Sequence, residues 1–531
     1  MDEYLAFRNG LDRFSGSVAI SLNGELIYSR SIGVADRTWD IPVNDSTKYD
    51  IASVTKMFTA IGIARLYEEG KIGLDDTIQD HFRDFPNKEI AQSTTIKELL
   101  SHTGGISDFF MQPEYLHADR YRLRSLEDYD RFYKTLEINE SQAGNMQYSN
   151  SNFMILGRII EKVSGQDYYS FIGQQIFEHL GMAYTGFYDH DIAVENVAVG
   201  YTGDTQAVTE FGIPNDGQLR ENRYMRPAKG MPAGGAYSTT QDLLHFLNAL
   251  SSGELIEPDT YTMFSRPDAD GYMLGFQSYS TEGIPVIGHS GGFYGVSSQV
   301  FNLPEHGYSI VILSNADFGA PPVFERFISY LTGRKTYSPE SLSTEKLSQY
   351  AGFYEIVQGE MKGKKLEISV KDDHLLFDNE LEFYPHAEDS FFDIDNDMFT
   401  LQFNKDADGS ILGFRWSDGR SFNAKARNIE ELDMPAFSKI EVSNSDLEEY
   451  LGDYEFGQSG MMPGHRPDIA VDDGALLIDG RMRFVPYGED IFYLQDDQQM
   501  QLQFMRNEVK KITGFHVKRG EDVLGRVSKL K

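Results

Sequence analysis

The chain begins with apolar and polar residues that alternate on either side of a tight turn. Residues 17–22 and 25–28 carry this alternation, and the Asn23-Gly24 dipeptide between them favours a two-residue hairpin turn. The same alternation predicts further strands near residues 272–278, 285–288, 296–302 and 308–314. The strands of this part of the chain therefore come from both of its ends, with a long stretch in between.

The intervening stretch has the apolar spacing of helices. A helix is predicted from Ser53 to Glu69, because the apolar run stops at Gly70, a residue that favours a left-handed helix cap. Further helices are predicted over residues 96–100, 152–164 and 241–250. Strands and helices are combined in this way in the α+β fold class, which we predict for residues 1–335.

Beyond residue 340 the chain consists of many short alternating segments, and it contains an internal repeat with an offset of 100 residues. Leu347, Tyr350, Gly352 and Tyr354 recur as Leu447, Tyr450, Gly452 and Tyr454. Short, evenly spaced strands of this kind are typical of antiparallel barrels. We therefore predict two homologous β-barrels of about eight strands each, over residues 340–432 and 440–531.

Composition narrows the range of partners. The chain has 531 residues and a formal net charge of −34, so it is repelled by nucleic acid and by anionic lipid, and we expect neither a nucleic-acid nor a membrane partner. It contains no cysteine, which excludes disulfides and thiolate metal sites. The N-terminal residues lack the apolar run of a signal peptide, so we expect a cytoplasmic location. The motifs suggest no metal and no cofactor, and a homodimer is left open.

Ser53 and Lys56 are the first candidates for chemistry. Residues three apart share a face of a helix, so the Lys56 amine can reach the Ser53 hydroxyl and remove its proton. The alternative is a helix-capping serine followed by a surface lysine. The neighbours Met57, Phe58 and Ile61 predict a buried helix, in which a lysine has a lowered pKa and can act as a base.

Tyr148 and Asn150 form a second candidate group, just before the helix predicted at 152–164. In the catalytic interpretation, the Tyr148 phenol passes a proton between Ser53 or Lys56 and the leaving group. The Asn150 amide then holds Lys56 and a substrate carbonyl. The alternative is an ordinary capping loop, since Ser and Asn are favoured at such positions.

The third group is His289, Gly291 and Gly292, between two predicted strands. We expect it on an edge strand that faces the serine, where small residues let a substrate approach the backbone. The N–H of Gly292 would form an oxyanion hole there together with the N–H of Ser53. The same segment also fits the G-x-S-x-G nucleophile elbow of another hydrolase fold, with Ser290 as nucleophile, but that motif requires a helix to follow.

Together the three groups resemble the motifs of the serine β-lactamase and penicillin-binding-protein family, class C type, over about residues 10–335. The resemblance implies a five-stranded antiparallel sheet flanked by helices, a mostly helical lobe, and a site between them. It extends to the bacterial D-stereospecific aminopeptidases, which are similar in their H-x-G third motif and in two eight-stranded barrels after the catalytic domain. We therefore expect a β-lactamase-like catalytic domain over residues 1–335, followed by the two β-barrel repeats.

Most members of the family carry lysine where this chain has His289. A permanent cation there would hold a substrate carboxylate, whereas imidazole is largely neutral near pH 7. We therefore expect substrates whose charged group is not held at this position, such as a free amine. The resemblance also implies that a loop of the last barrel enters the cleft, and residues 457–466 are the candidate here. An exposed hairpin loop is the alternative.

These observations predict a serine hydrolase that acts through an acyl-enzyme on a small molecule or short peptide, with D-aminopeptidase-like activity on amino-acid amides as the main expectation. The predicted catalytic residues are Ser53, Lys56, Tyr148 and His289, and the predicted substrate-binding residues are Asn150, Gly291 and Gly292. A carboxylesterase or a β-lactamase of the same fold is the alternative within this chemistry. A non-catalytic sensor or binding protein is the alternative from another class.

Overall fold

The structure is a computed structural model that describes residues 1–530 apart from 140–143, 204–217, 266–271, 360–361, 379–380, 419–422, 430–441, 461–465, 473, 480–481, 489, 495–496, 508 and 520–521. The chain divides into two units, Met1–Asn428 and Ile429–Lys531. Each unit has hydrophobic cores of its own.

A six-stranded antiparallel sheet forms the centre of the first unit. Its strands are β1 Gly16–Leu22, β2 Glu25–Ile32, β3 Gln277–Thr281, β4 Ile284–Phe293, β5 Val296–Leu303 and β6 Tyr308–Ser314. Their order is β3-β4-β5-β6-β1-β2, so the N-terminal hairpin pairs with strands from the end of the region. The predicted hairpin is confirmed, and its turn residues Asn23 and Gly24 have φ angles of 51° and 84°.

One edge of the sheet differs from the expectation. The strand predicted near 272–278 begins instead at Gln277, because Gly275 has a φ of 89° and turns the chain just before it. The edge strand β3 that results pairs with β4. The sheet therefore has six strands rather than the five that the resemblance implied.

Helices cover both faces of the sheet. The main helices are α1 Asp2–Gly10, α2 Thr55–Glu68, α3 Ile96–Ser101, α4 Asn150–Ser164, α5 Tyr168–Ile172, α6 Thr240–Ser252, α7 Pro258–Ser265 and α8 Ala320–Thr332. Along β1, Val18 and Ile20 lie in the core that contains α1 and α8, whereas Ala19 lies in the core that contains α2 and α6. This alternation places one set of helices on each face.

The helices predicted from the sequence are present close to their expected bounds. A short 3₁₀ turn, Ala52–Val54, precedes α2, and α4 ends before Gly165, whose φ is 71°. Every residue of α2 from Thr55 to Ala64 is buried. Lys56 therefore lies in a desolvated environment, as the apolar pattern predicted.

Shorter elements complete this region. Short helices lie at Ile78–His81, Lys88–Ser93, Phe109–Met111, Pro113–Leu116, Arg120–Arg122, Leu126–Thr135, Gly173–Glu178 and Asn222–Tyr224. Short strands lie at Val34–Asp36, Ile41–Pro42, Tyr49–Asp50, Gly186–Phe187, Tyr201–Thr202, Arg220–Glu221 and Ala236–Ser238. Ile78, Ile90 and Phe109 share the hydrophobic core of α2 and α4, so the short helices form one helical lobe with them.

A closed antiparallel barrel of eight strands completes the first unit. Its strands are β7 Gly352–Gln358, β8 Lys365–Lys371, β9 His374–Phe377, β10 Leu381–Ala387, β11 Ser390–Asp393, β12 Thr400–Lys405, β13 Ile411–Ser417 and β14 Asn423–Ile429, preceded by the short helix Thr344–Leu347. The Tyr354 hydroxyl donates to the Tyr350 carbonyl at 2.7 Å and ties the first strand to the segment before it. Both tyrosines are buried among the barrel's aromatic residues.

The barrel packs against the sheet region through a contact with buried charges. Asp397, in the turn after β11, lies 3.3 Å from Arg326 and 3.1 Å from Arg334. The side chains of Arg326 and Asp397 are only 2% and 8% exposed. We call the contact formed by Arg326, Arg334 and Asp397 the seam. Apolar residues beside it, among them Phe392, join the core of α1 and α8.

The second unit repeats this strand pattern. Its eight strands are β15 Tyr454–Gly460, β16 Ile469–Asp472, β17 Ala475–Ile478, β18 Met482–Gly488, β19 Ile491–Leu494, β20 Asp497–Arg506, β21 Ile512–Arg519 and β22 Asp522–Lys529, preceded by short helices at Asn444–Leu447 and Glu448–Tyr450. They form one antiparallel sheet in the order β15-β22-β21-β20-β19-β18-β17-β16. The Tyr454 hydroxyl donates to the Tyr450 carbonyl at 2.7 Å, the bond that Tyr354 and Tyr350 form in the first repeat.

The predicted architecture is therefore confirmed: an α+β region is followed by two eight-stranded antiparallel repeats. Five of the residues in the predicted reaching loop 457–466, namely 461–465, lie outside the described residues. Within the part of the chain that the structure covers, we find no helix with the length and apolar character needed to cross a membrane.

Candidate active site

The turn that carries Ser53 is held in a strained backbone conformation. Ala52, the residue before it, has a φ of 44°, which is unfavourable for a residue with a side chain. Asp50 stabilises this turn, because its Oδ1 accepts a hydrogen bond from the Ala52 N–H at 2.7 Å. Asp50 in turn pairs with the buried Arg226 at 3.3 Å. The hydroxyl of the half-buried Ser53 is thus presented at a fixed position above the start of α2.

Lys56 lies directly below Ser53, and its amine contacts three neutral oxygens. Its Nζ is 3.1 Å from Ser53 Oγ, 2.8 Å from Asn150 Oδ1 and 2.6 Å from the Ala233 carbonyl. The amide and carbonyl oxygens can only accept hydrogen bonds. A neutral amine therefore donates its two hydrogens to Asn150 and Ala233, and its lone pair points at the Ser53 hydroxyl.

The burial of Lys56 sets its protonation. Desolvation lowers its pKa from the usual value to about 7, against a raising effect of the Asp108 carboxylate. A free amine is then accessible at neutral pH, since the pKa of Lys56 lies close to it. The amine can accept the proton of Ser53 under these conditions.

Tyr148 reaches the same hydroxyl from the other side. Its phenol donates a hydrogen bond to Ser53 Oγ at 2.9 Å. Its ring lies 4.8 Å from Lys56 Nζ, close enough for a cation–π contact when the lysine is charged. Desolvation of the hydroxyl raises the pKa of Tyr148, so the phenol stays protonated at neutral pH. Tyr148 therefore meets Ser53 as a proton donor.

Asn150 and Asp108 form the wall behind Lys56. Asn150 is the first residue of α4 and accepts from Lys56 through Oδ1. Its Nδ2 and its backbone N–H both donate to Asp108 Oδ2, at 2.8 and 2.9 Å. Asp108 was not identified from the sequence, although it lies only a few residues after the Ser-His-Thr-Gly-Gly turn at 101–105.

His102 fixes the segment that carries Tyr148. It is fully buried at the end of α3, with a φ of 58°. Its Nδ1 accepts from the Ser149 N–H at 3.2 Å, and its carbonyl accepts from the Gln147 N–H at 2.7 Å. The residues on both sides of Tyr148 are thus bonded to His102. These contacts give His102 a structural role.

The edge of β4 forms the opposite wall of the cleft. β3 pairs with β4 only as far as Gly288, so the following residues of β4 extend beyond β3. The Ser290 N–H points to this side and donates to Gln277 Oε1 at 2.9 Å. Since N–H groups alternate in an antiparallel strand, the Gly292 N–H points to the same side, beyond the part of β4 that β3 pairs with. It is available as an oxyanion donor.

Gly291 is required by close packing. A Cβ at this position would lie 2.2 Å from the Ile51 carbonyl and 2.6 Å from Ser298 Oγ. Such distances are far below van der Waals contact, so any larger residue would push β4 away from the Ser53 turn. The glycine of the third motif thus lets β4 approach the strand end that leads into Ser53.

His289 is buried, and both of its ring nitrogens are engaged. Nδ1 is 2.5 Å from the Ser290 carbonyl, which can only accept, so Nδ1 carries the proton. Nε2 therefore accepts from the Tyr272 hydroxyl at 3.1 Å. Burial, aided by the Lys56 charge, lowers the pKa of His289 to about 3, which keeps it neutral. Tyr272 was missed in the sequence, which contains no local signal for this contact.

The structure brings the predicted site residues into one cleft. Ser53, Lys56, Tyr148 and Asn150 are joined by direct hydrogen bonds. His289 joins them through Tyr272, whose ring also contacts His102 and Tyr148. The nucleophile-elbow alternative for Ser290 is wrong, because this residue lies inside β4 and the next element is the strand β5 rather than a helix.

A groove of about 520 Å³ opens beside Tyr148. Its charged lining residues are Asp108, Glu114 and Glu137. Carboxylates in this position disfavour a negatively charged group of the substrate.

The fold and the Ser53, Lys56 and Tyr148 arrangement are those of the serine hydrolase family of β-lactamase and penicillin-binding-protein type. The family model described as "Beta-lactamase" matches residues 6–331, more than half of the chain. This protein therefore belongs to the beta-lactamase family, as its three motifs predicted.

Relatives and solved structures agree with this assignment. The chain is 27% identical over 412 residues to penicillin-binding protein 4* of Bacillus subtilis, which covers 72% of this chain and 88% of the relative. The penicillin-binding protein from Bacillus halodurans is 27% identical, with a TM-score of 0.53 over 59% of this chain and 94% of that one. D-amino acid amidase from Ochrobactrum anthropi SV3 shares the fold at 24% identity, with a TM-score of 0.53 over 63% of this chain and 99% of that one.

Proposed function

We propose that this protein hydrolyses amino-acid amides and short peptides through an acyl-enzyme formed on Ser53. The observation that carries the proposal is the Lys56 amine, which is buried, contacts three neutral oxygens and lies 3.1 Å from the Ser53 hydroxyl. A surface lysine has no comparable means of becoming a base at neutral pH. The cleft therefore supports an activated nucleophile rather than a helix cap.

The proposed reaction begins when Ser53 Oγ attacks the substrate carbonyl carbon and its proton moves to Lys56 Nζ. The backbone N–H groups of Ser53 and Gly292 then stabilise the negative charge on the carbonyl oxygen. As the carbon–nitrogen bond breaks, Tyr148 delivers a proton to the leaving amine and is reprotonated from Lys56. Water next attacks the acyl ester by the same route, which releases the acid and regenerates Ser53.

The choice of substrate class rests on the charges around the cleft. His289 is neutral and both of its nitrogens are occupied, so it offers no cation to a substrate carboxylate. The groove beside Tyr148 carries carboxylates, which are compatible with a neutral or amine-bearing substrate. D-amino acid amidase, which shares the fold, has been solved with D-phenylalanine. We therefore propose a substrate with a free amine and a D-configuration.

Two alternatives use the same site. A carboxylesterase or β-lactamase would form the same acyl-enzyme, and the penicillin-binding relatives keep the β-lactam alternative relevant. A non-catalytic binding protein would keep the fold without acylation. For partners, we propose a small-molecule or short-peptide substrate, no nucleic acid and no membrane, given the net charge of −34, with a homodimer left open.

A first experiment separates enzyme from binding protein. Purified protein is treated with a fluorescent phosphonate, which labels activated serines, and Ser53→Ala is the matched control. We expect labelling of the wild-type protein and none of the variant. An unlabelled wild-type protein would favour the binding-protein alternative.

A second experiment distinguishes the substrate classes. Hydrolysis rates are compared for D-alanine p-nitroanilide, its L-form, a p-nitrophenyl ester and nitrocefin. We expect the D-anilide to be hydrolysed faster than the L-form and faster than nitrocefin. Hydrolysis of the ester alone would remove the amidase proposal, and turnover of nitrocefin as the preferred substrate would establish the β-lactamase alternative.

A further inference from the structure

Asp108 lies on the opposite side of the Asn150 amide from Lys56. Its Oδ2 accepts two hydrogen bonds from Asn150, and its Oδ1 accepts one from the Phe110 N–H at 3.0 Å. We propose that Asp108 is the positioning residue of this site, which fixes the orientation of the Asn150 amide and adjusts the strength of Lys56 as a base. The inference rests on the acyl-enzyme chemistry proposed for Ser53.

Asp108 determines the orientation of the Asn150 amide. The oxygen and the NH₂ group of Asn150 exchange places when the side chain rotates by half a turn. With Asp108 ionised, only one orientation is satisfied: NH₂ faces the carboxylate and the oxygen faces Lys56. The reverse orientation would place two acceptors against each other. Asp108 therefore ensures that the Lys56 amine always faces a hydrogen-bond acceptor, the Asn150 oxygen.

This acceptor directs the lone pair of Lys56. A neutral amine has two hydrogens, and Asn150 Oδ1 and the Ala233 carbonyl take both of them. The lone pair then faces Ser53 Oγ. If the Asn150 amide were reversed, its NH₂ group would compete for the same lone pair. Asp108 thus acts on the nucleophile through Asn150 and Lys56.

Asp108 is itself held in place by the segment around it. Ser151 Oγ donates to the Ser107 carbonyl at 2.9 Å and accepts from the Phe109 N–H at 2.9 Å. Ser149 Oγ donates to the same Ser107 carbonyl at 3.2 Å. The residues on both sides of Asp108 are thus bonded to those on both sides of Asn150. These contacts hold the backbone of Asp108 beside Asn150, and the carboxylate itself is held by the hydrogen bonds that it accepts from Asn150 and Phe110.

The charge of Asp108 acts on Lys56 as well. Among the residues that the structure describes, the titratable groups that face Lys56 are Asp108, His102, His289 and Tyr148. Burial lowers the pKa of both histidines and raises the pKa of Tyr148, so these three groups are neutral at pH 7. Asp108 is the group whose negative charge raises the pKa of Lys56 against the effect of burial. Without it, Lys56 would lose its proton at lower pH.

The test separates these two effects with an assay that needs no natural substrate. The rate of phosphonate labelling of Ser53 is measured against pH for wild type, Asp108→Asn and Asn150→Ala. In the plot of labelling rate against pH, the acid limb is the part where the rate rises with pH. For Asp108→Asn we expect this acid limb to move to lower pH by about one unit, because the carboxylate charge is lost. We also expect the plateau rate to fall roughly tenfold, because the amide orientation is no longer unique. Asn150→Ala keeps the charge of Asp108. We therefore expect its plateau rate to fall while its acid limb stays near pH 7.

Controls distinguish this role from a general structural one. Glu114→Gln removes an exposed carboxylate from the same groove, and we expect its acid limb to stay at the wild-type position. Thermal unfolding shows whether each variant is folded. If Asp108→Asn does not fold, Asp108→Glu tests the proposal instead. This variant keeps the negative charge but displaces the carboxylate, so its acid limb should stay near pH 7 while its plateau rate falls. A shifted limb or an unchanged plateau in this variant would overturn the proposal.

A direct readout keeps the test independent of the proposed function. The titration midpoint of Lys56 is followed through the signal of its ¹³C-labelled Cε in wild type and Asp108→Asn. We expect the midpoint to be lower in the variant. An unchanged or higher midpoint, or an unchanged acid limb in the folded variant, would overturn the role of Asp108. A wild-type protein that resists the phosphonate would instead contradict the chemistry of Ser53, and the Lys56 midpoint would still decide the charge effect.

Discussion

Two regions of this protein bury a positive charge, and they treat it in opposite ways. At the seam, Arg326 is 2% exposed and lies 3.3 Å from the Asp397 carboxylate. In the cleft, Lys56 is fully buried, and its amine contacts a hydroxyl, an amide oxygen and a carbonyl. Arginine keeps its proton in both free and paired forms, whereas lysine readily releases its proton when it is desolvated.

Burial of a cation can therefore produce either a stable contact or a reactive group. A buried charge with a carboxylate partner is compensated, and removing the partner leaves an uncompensated charge at a high energetic cost. A buried amine with only neutral partners lowers its cost by releasing a proton. Desolvation therefore stabilises the contact between the barrel and the sheet region at the seam, and it generates a base in the cleft.

The largest expected effect comes from Lys56→Met. We expect the labelling rate of Ser53 to fall on the order of 10²–10⁴-fold, because the general base is lost. We also expect the melting temperature to rise, because the variant no longer desolvates an amine. Labelling kinetics and thermal unfolding measure the two effects. A variant that loses activity and stability together would contradict the contrast drawn here.

Arg326→Met should lower stability and leave the labelling rate nearly unchanged, which is the reverse of Lys56→Met. The substitution leaves the Asp397 carboxylate buried with one partner fewer, so we expect a loss of stability of about 3–5 kcal/mol. The labelling rate of the folded protein should stay within about twofold of wild type, because the seam does not contact the cleft residues. Arg122→Ala is the control: it breaks a pair with Asp119 whose side chains are 85% and 55% exposed. That variant should change stability by less than about 1 kcal/mol.

The pH dependence sharpens the assignment of Lys56. Its pKa in the folded protein is about 7, and the neutral amine is the active form. The labelling rate should therefore rise about tenfold per pH unit below 7 and level off above it. The same lysine in the unfolded chain keeps its proton to a higher pH, so its contribution to stability should increase as pH rises from about 7 to 10. A rate that is flat across pH 6–8 would contradict the assignment.

The smallest effect is expected in the two barrel repeats. Tyr354→Phe and Tyr454→Phe each remove one hydrogen bond of 2.7 Å to a backbone carbonyl. We expect each to cost about 1 kcal/mol of stability, with no change in labelling of Ser53. Denaturant unfolding of the two variants measures this cost. A large effect in one repeat and none in the other would show that the matched tyrosines do not have matched roles.

The parts of the fold that the sequence predicted are those set by local chemistry. The Asn23-Gly24 turn, the glycine at 165 and the tyrosine repeat depend on residues close together in the chain. The edge strand was misplaced, because the left-handed Gly275 shifts its start, and the apolar pattern does not report a φ angle. The predicted domain boundaries at 335, 340, 432 and 440 stay predictions.

In the candidate site, too, the local contacts could be predicted and the long-range contacts could not. Ser53 and Lys56 are one helical turn apart, so their contact is local and could be predicted. Asp108 and Asn150 are 42 residues apart, and Tyr272 and His289 are 17 residues apart, with a turn and a strand between the latter two. Such contacts depend on how elements pack, and the sequence has no periodic signal for them. The roles of Ser53, Lys56, Tyr148 and His289 in turnover stay predictions until the labelling experiments are done.

The contact between Gly291 and the Ile51 carbonyl has a practical consequence for altering substrate range. In the proposed mechanism it acts as a spacer between the Gly292 N–H, which is the proposed oxyanion donor, and the attacking Ser53 oxygen. Enlarging the cleft by substitution at this spacer would separate those two atoms and slow every substrate alike. Redesign for bulkier acyl groups should therefore begin at the groove beside Tyr148, where Met111 is 74% exposed and additional room does not disturb that separation.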